Sequence, residues 1–374
     1  MKYRLLELLQ CVRCRGDLEL AGEVTRNVTH APGEIFSCKR FCSLDRTPRI
    51  PDIQRCAECS RVDVQTGTLT CRGCGHSYPV IQSVPWLFER GCEQRSGNLL
   101  SDTAALYSHI WSTGSPDAPP HSAHLDAMEE ALGQSVVHGK IGMEAGSGSG
   151  NDTTAMAIRH PSIELISLDI SEGVYHTYHR TTGLSNVHVV RASVLSIPLK
   201  SDIFDFAYSY GVLHHTTDPE GGLREVVRVL RGGGVVSLYL YEDHADNPWK
   251  AIPLRLINAI RVVTTKLNAR LLSGLCYLLS PFVVLVFSIP ARIMFRYQTT
   301  RRLAAQMPFN FGNSLFSLHT DLLDRFGAPV ELRYGREELV ALLEACRLCN
   351  LVTTKLRTIA GWAARGVKGS EVRS

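Results

Sequence analysis

The segment Lys140-Ile-Gly-Met-Glu-Ala-Gly-Ser-Gly-Ser-Gly150 joins a short apolar strand to glycines spaced by single residues. Gly146, Gly148 and Gly150 allow a sharp backbone turn and a close approach to a ligand, where a Cβ would collide. A helix starting near Asn151 would aim its free amides at that ligand. The next strand, Glu164-Leu-Ile-Ser-Leu-Asp169, ends nineteen residues beyond Gly150 on a carboxylate suited to accept hydrogen bonds from ribose hydroxyls. From about residue 139 onward, short apolar strands alternate with helical stretches. That alternation predicts an α/β domain with a largely parallel sheet.

The loop also discriminates between ligands. Nicotinamide dinucleotides usually sit on G-x-G-x-x-G, whereas here the glycines run G-x-G-x-G and Asn151 follows. Glu144, just before the loop, suits a positive amino group better than a pyrophosphate. Spacing and charge favour S-adenosylmethionine (SAM) and leave a nicotinamide oxidoreductase as the weakest alternative.

Two further stretches extend the pattern: ASVLSIPLKSDIFDFAYSYGVLHHTTDP at 192–219 and LREVVRVLRGGGVVSLYLY at 223–241. With the glycine loop they resemble class I SAM-dependent methyltransferases, particularly the ubiquinone/menaquinone methyltransferase-like group, over roughly residues 139–242. The resemblance implies a Rossmann-like seven-stranded sheet with SAM across the carboxyl ends of its first strands. By it, Glu144, Gly146, Gly148 and Gly150 cradle the methionine part and Asp169 holds the ribose. Ser209 and Tyr210, at the end of the fourth strand, would contact the ligand beside its methyl group. Two departures stand out. Ser193 occupies a position usually held by Asp that bonds the adenine amine, and a turn usually written K-P-G-G is Arg231-Gly232-Gly233-Gly234.

Methyl transfer from a sulfonium depends mainly on placing the acceptor atom behind the methyl carbon. A general base is needed only when the acceptor must lose a proton. His214 and His215 follow the fourth strand and stand where such a base would act, and imidazole suits that work near neutrality. His215 is the preferred candidate. The competing role for the pair is packing and turn capping with Asp218.

The chain has 374 residues, 44% hydrophobic and 20% charged, with a net charge of +4. This composition excludes a disordered or collagenous chain, and the near balance of charges excludes a simple polyanion-coating protein. Twelve cysteines are present, eight of them before residue 75. Met1–Gln10 carries no apolar run of signal length, so a cytoplasmic location is expected, where paired cysteines read first as metal ligands. The pairs are Cys11/Cys14, Cys38/Cys42, Cys56/Cys59 and Cys71/Cys74. A Cys-x2-Cys knuckle supplies half of a tetrahedral zinc site, so these eight could hold one or two ions.

LLELLQCVRC at 5–14 and GTLTCRGCGHSYPVIQSVPWLF at 67–88 resemble the small zinc ribbon that precedes some methyltransferases. They are similar too to the activator subunit of tRNA methyltransferases. That resemblance implies that Cys11, Cys14, Cys71 and Cys74 share one metal and leaves Cys38, Cys42, Cys56 and Cys59 as an inserted second set. Pairing in sequence order is the alternative. Cys346 and Cys349, on a helical pattern, are expected in the core, as are Cys92 and Cys276.

Between Asp246 and Asp321 there is no acidic residue, yet nine Lys and Arg side chains fall there. An uncharged run, LLSGLCYLLSPFVVLVFSIPA at 271–291, is interrupted by Pro281 and Pro290, which would leave each half too short to span a bilayer. Flanking residues intersperse cations with aliphatics, as in a helix on an anionic surface. The insertion is read as a lid over a hydrophobic substrate, with peripheral membrane contact through 250–302 as a compatible role. Nucleic-acid contact ranks below both.

The resulting organisation has a zinc ribbon at 1–95, a linker and substrate-side helix at 96–138, and a methyltransferase core at 139–246. A helical insertion follows at 247–320, with closing elements at 321–374. The expected activity is methylation of an oxygen or carbon of a small hydrophobic or lipid-like metabolite. RNA methylation with the ribbon as docking module, and a non-catalytic SAM-binding scaffold, are the alternatives.

Overall fold

A computed structural model describes residues 1–30, 34–48, 53–88, 99–112, 122–304, 307, 309, 315–356 and 359–370. The amino-terminal region contains α1 (Tyr3–Leu8), β1 (Leu18–Asn27), α2 (Ile53–Ser60), β2 (Val62–Cys71), β3 (Ser77–Ile81) and β4 (Val84–Leu87). Its four strands form an antiparallel meander. The tight β3–β4 turn places Gln82 and Ser83 at positive φ, as the primed turns of two-residue hairpins require.

Helices α3 (Leu99–Ser112) and α4 (Ala123–Leu132) lead into β5 (Ile141–Ala145), α5 (Asn151–Arg159), β6 (Glu164–Asp169), α6 (Gly173–Thr181) and β7 (Val187–Ala192). Then come β8 (Phe204–Tyr210), α7 (Pro219–Val229) and β9 (Leu230–Leu240). Every residue of β5, β7 and β8 is buried, as helices on both faces of a parallel sheet demand. Helix α7 begins where Pro219 follows Asp218, whose carboxylate caps the Gly221 amide at 2.8 Å. Its Leu223, Val226 and Val227 then fall on one buried stripe.

The insertion holds α8 (Pro248–Thr264), α9 (Ala269–Val283), α10 (Ile289–Phe295), α11 (Arg301–Ala304) and α12 (Leu315–Gly327). The chain closes with α13 (Arg336–Ala345), β10 (Leu348–Lys355) and β11 (Trp362–Lys368). The strands order as β7-β6-β5-β8-β9-β11-β10, the seven-stranded arrangement implied by the sequence, with β11 antiparallel to β9.

Three features depart from the domain boundaries read from sequence. First, β4 pairs in parallel with β7, through Trp86 opposite Arg191 and Leu87 opposite Ala192, giving one sheet of eleven strands. The Arg191 guanidinium lies 4.2 Å from the Trp86 ring centre, and Lys2 Nζ donates to the carbonyls of Leu184, Ser185 and Val187. Leu5, Leu9, Leu69 and Leu87 share one buried cluster with Val190, Ile197 and Leu199. An open β7 edge would be a pairing liability, and β4 covers it. Second, 99–112 of the expected linker is already a helix, ahead of α4 where the substrate-side helix was expected, while 96–98 and 113–121 lie outside the described residues, as does Cys92. Third, α12 packs on α8 and α9, so the insertion runs on to about residue 327.

The prolines do not divide the apolar run. Residues 269–295 form one helical rod in which Pro281 is tolerated and Val284–Ser288 is π-helical. In the wider turn Ile289 N donates five residues back to the Val284 carbonyl, just ahead of Pro290, which has no amide to donate. Cys346 and Cys276 are buried as expected, but Cys349 is exposed on β10 rather than helical.

Candidate functional site

The glycine loop leaves β5 and returns as α5. Gly146, Gly148 and Gly150 have φ of +95°, +51° and +81°, the left-handed region that side chains resist. Gly148 also lies against Trp111 of α3, where a Cβ would come within 2.9 Å of the indole. Amides of Gly146 and Ser147 donate to the Leu168 carbonyl. Asp169 braces the loop: its carboxylate accepts from Gly148 N at 2.8 Å and Ser171 N at 2.7 Å. A carboxylate has further lone pairs for ligand hydroxyls.

Beside the loop opens a cavity of about 300 Å³. Glu144, Gly146, Gly148, Asp169, Ser193, Tyr210 and His215 all border it, so strands β5 to β8 bring seven of the ten residues proposed for the methyltransferase site to one space. The other three stand behind it. Gly150 packs against Thr177, Ser209 donates its hydroxyl to the Ala145 carbonyl at 2.9 Å, and His214 is fully buried.

Glu144 accepts from the Thr153 and Ser167 hydroxyls. Burial pushes its carboxyl up to about 8 against those two hydrogen bonds, with Asp152 and Asp169 adding to the rise. Three acids, Glu144, Asp152 and Asp169, thus face one cavity, which suits a cationic ligand. SAM carries a sulfonium and an ammonium, and a cavity bordered by Glu144, Asp152, Asp169 and Ser193 fits such a group.

The opposite wall comes from α3, and no motif in the sequence marks it. Leu99, Leu100, Tyr107 and Trp111 line it. Tyr107 and Tyr241 donate their hydroxyls to the two oxygens of Asp324, at 2.6 and 3.0 Å. His215 Nε2 lies 3.7 Å from Asp324 Oδ1, and its Nδ1 is 2.8 Å from the Val330 carbonyl. That carbonyl can only accept, so Nδ1 carries a proton, and Nε2 is turned toward Asp324. Tyr107 and Asp324 are 217 residues apart, so only the fold unites them. An i, i+4 pair of aromatics, Tyr107 and Trp111, was the one available signal. His214 stacks 4.0 Å from Tyr241, and burial with the neighbouring His215 and Arg333 pulls it well below the usual imidazole range.

In the ribbon, the thiols of Cys11, Cys14, Cys71 and Cys74 all lie within 4.8 Å of one another. The Cys11–Cys74 and Cys14–Cys71 separations are 3.7 and 3.4 Å. Tetrahedral zinc with Zn–S near 2.3 Å needs about 3.8 Å, so this set fits the ion. Gly73 aims its amide at Cys71 Sγ, 3.4 Å away, a typical support for a thiolate. Cys38, Cys42, Cys56 and Cys59 line a separate cavity of about 30 Å³ with Tyr3 and His188. Among the described residues, Cys11, Cys14, Cys71 and Cys74 are the one Cys, His or carboxylate group gathered within 4.8 Å. Burial and the other three thiols push Cys59 up to about 12, so without a cation it stays protonated.

Comparison with known proteins follows the same division. Residues 143–238 match the methyltransferase domain family and residues 2–83 the Trm112p-like protein family. The chain is 32% identical over 114 residues to the chloroplastic 2-methyl-6-phytyl-1,4-hydroquinone methyltransferase 1 of Oryza sativa subsp. japonica, covering 30% of this chain and 34% of that one. It is also 32% identical over 106 residues to the tRNA (carboxymethyluridine(34)-5-O)-methyltransferase of Saccharomyces cerevisiae, covering 28% and 36%. A solved SAM-dependent methyltransferase from Aquifex aeolicus aligns at 12% identity and a TM-score of 0.40, over 70% of this chain and 97% of that one. The chain spans from a quarter to just under two thirds of the length of curated relatives that it matches, 25% to 65%. Residues 143–238 therefore belong to the methyltransferase domain family, set behind a Trm112p-like region at 2–83.

Proposed function

We propose that this chain transfers the methyl group of SAM to an oxygen or carbon of a small hydrophobic or lipid-like acceptor. One observation carries the reading: a single cavity is acidic beside the glycine loop and apolar and aromatic along α3, with His215 on its border. The sulfonium supplies an electrophilic methyl carbon. The chain's own part is positioning and proton transfer. Glu144 and Asp169 fix the donor from the β5–β6 side, while Tyr107 and Trp111 stack an apolar acceptor against it. Where the acceptor is a hydroxyl, His215 Nε2 takes its proton, and Asp324, 3.7 Å away, stabilises the imidazolium. A carbon acceptor with no proton to lose before transfer would make His215 a positioning group.

The relatives support two acceptor classes, a quinol and a tRNA nucleoside, each known from the name of that protein alone. The apolar wall favours the first. The test uses purified full-length protein, methyl-labelled SAM and an extract of the native host, with label partitioned among organic, RNA and protein fractions. Label in the organic fraction is the expected result. Label in RNA would replace this reading with the RNA alternative, and no transfer with SAM still bound would leave a scaffold.

A further inference from the structure

We infer that the insertion is an anionic-membrane docking surface, on which α8 and the α9–α10 rod lie flat in the lipid headgroup layer. The rod is 27 residues long, and its most apolar 18-residue stretch has a mean hydropathy of 2.1, yet only a third of that stretch is buried. A core helix of that composition would be covered on most sides. Here Leu271, Leu275, Leu278, Phe282, Leu285 and Ile289 form an outward stripe at helical spacing, with Leu278 79% and Leu285 66% exposed. On α8, Ile252, Leu256, Ile260 and Val263 do the same. Both helices pack on α12, so one scaffold presents both stripes. An exposed apolar area of this extent on a soluble protein marks an interaction site.

Charge identifies the occupant. Arg255, Lys266, Arg270, Arg292, Arg296, Arg301 and Arg302 are exposed on these helices and their connections, and no acidic residue lies between Asp246 and Asp321. Aliphatics flanked by cations match the boundary of acyl chains with anionic headgroups. A protein partner or second copy would need a matching acidic rim, which this basic surface does not offer itself.

The geometry opposes a span. The rod's other face, Leu272, Cys276, Val283 and Ala291, is buried along most of its length. Leu272, Cys276 and Val283 pack with Leu106, Ile110 and Leu322, and Ser273 meets His319 of α12 at 3.1 Å. A span would carry α12, with Asp321 and Asp324, into hydrocarbon. Lying flat, the rod sits one helix from the cavity: α3 turns Leu106 and Ile110 to the rod and Tyr107 and Trp111 to the site.

The experiment is flotation of the full-length protein with vesicles of phosphatidylcholine alone or phosphatidylcholine with phosphatidylglycerol. It reads binding without any transfer reaction, so its result is separable from the activity proposed above. Wild type should float with the phosphatidylglycerol vesicles and be released by high salt. L278E/F282E should partition about a hundredfold more weakly, and R292E/R296E should lose the preference for anionic lipid, both with unchanged SAM affinity and melting temperature. Wild type that stays at the bottom with anionic vesicles overturns the proposal. So does flotation unaffected by L278E/F282E, or a stable solution dimer that this variant dissociates.

Discussion

Glu144 is the residue where the physics of the site is most exposed to measurement. Its carboxyl is held near 8 by burial in the folded chain, against an ordinary value of about 4.3 in an unfolded one. The folded state therefore binds more protons between those values, and stability must fall as pH rises from about 4.5 toward about 8. In E144Q that slope should flatten, read as melting temperature against pH. A cationic ligand beside Glu144 favours its ionised form, so SAM binding near pH 7 should release a proton. Calorimetry in buffers of different ionisation enthalpy reads it. At His215, replacement by Gln keeps volume but removes the base. If the acceptor is a hydroxyl, kcat should fall about a hundredfold or more while SAM affinity stays unchanged.

At the scale of elements, the glycine loop, the strand-end Asp169 and the cysteine knuckles were legible because each depends on residues close in sequence. The β5-to-β9 strands were legible too, since continuous burial forces continuous apolar runs. What was hidden depends on contacts between distant segments. Asp324 reaches His215 and two tyrosines only because α12 folds back over α3, and no local pattern announces it. Ser209 was misplaced for a related reason: alternation along β8 turns its hydroxyl toward β5 rather than into the cavity. Pro281 and Pro290 suggested two short helices, but the helix runs through Pro281, and a π-helical turn precedes Pro290. The cysteines divide similarly. Knuckle spacing nominated eight ligands, and tertiary structure gathers four of them at metal distance. Purified protein should hold one zinc per chain by metal analysis. C71S should lose that ion and about 3 kcal/mol or more of stability, whereas C59S should keep it.

For the whole molecule, the main surprise is continuity. A ribbon and a methyltransferase core, read as separate units, share an eleven-stranded sheet and a buried cluster running from Met1 to Ala364. The junction needs β4 to reach β7 in register, which neither segment encodes alone. The ribbon thus serves as a wall of the sheet that carries the SAM loop: Ala192, paired with Leu87, also borders the cavity. Helix α3 adds the apolar wall, and α12 of the insertion braces it through the Asp324–Tyr107 hydrogen bond. On this account one cavity, lined by α3, α4 and the methyltransferase core, holds both donor and acceptor. The most direct test is calorimetric titration of SAM into wild type and D169A. The account predicts micromolar binding to wild type and about a hundredfold weaker binding to the variant, with a melting temperature within a few degrees of wild type. Equal affinity in both, or no binding to wild type, would contradict it.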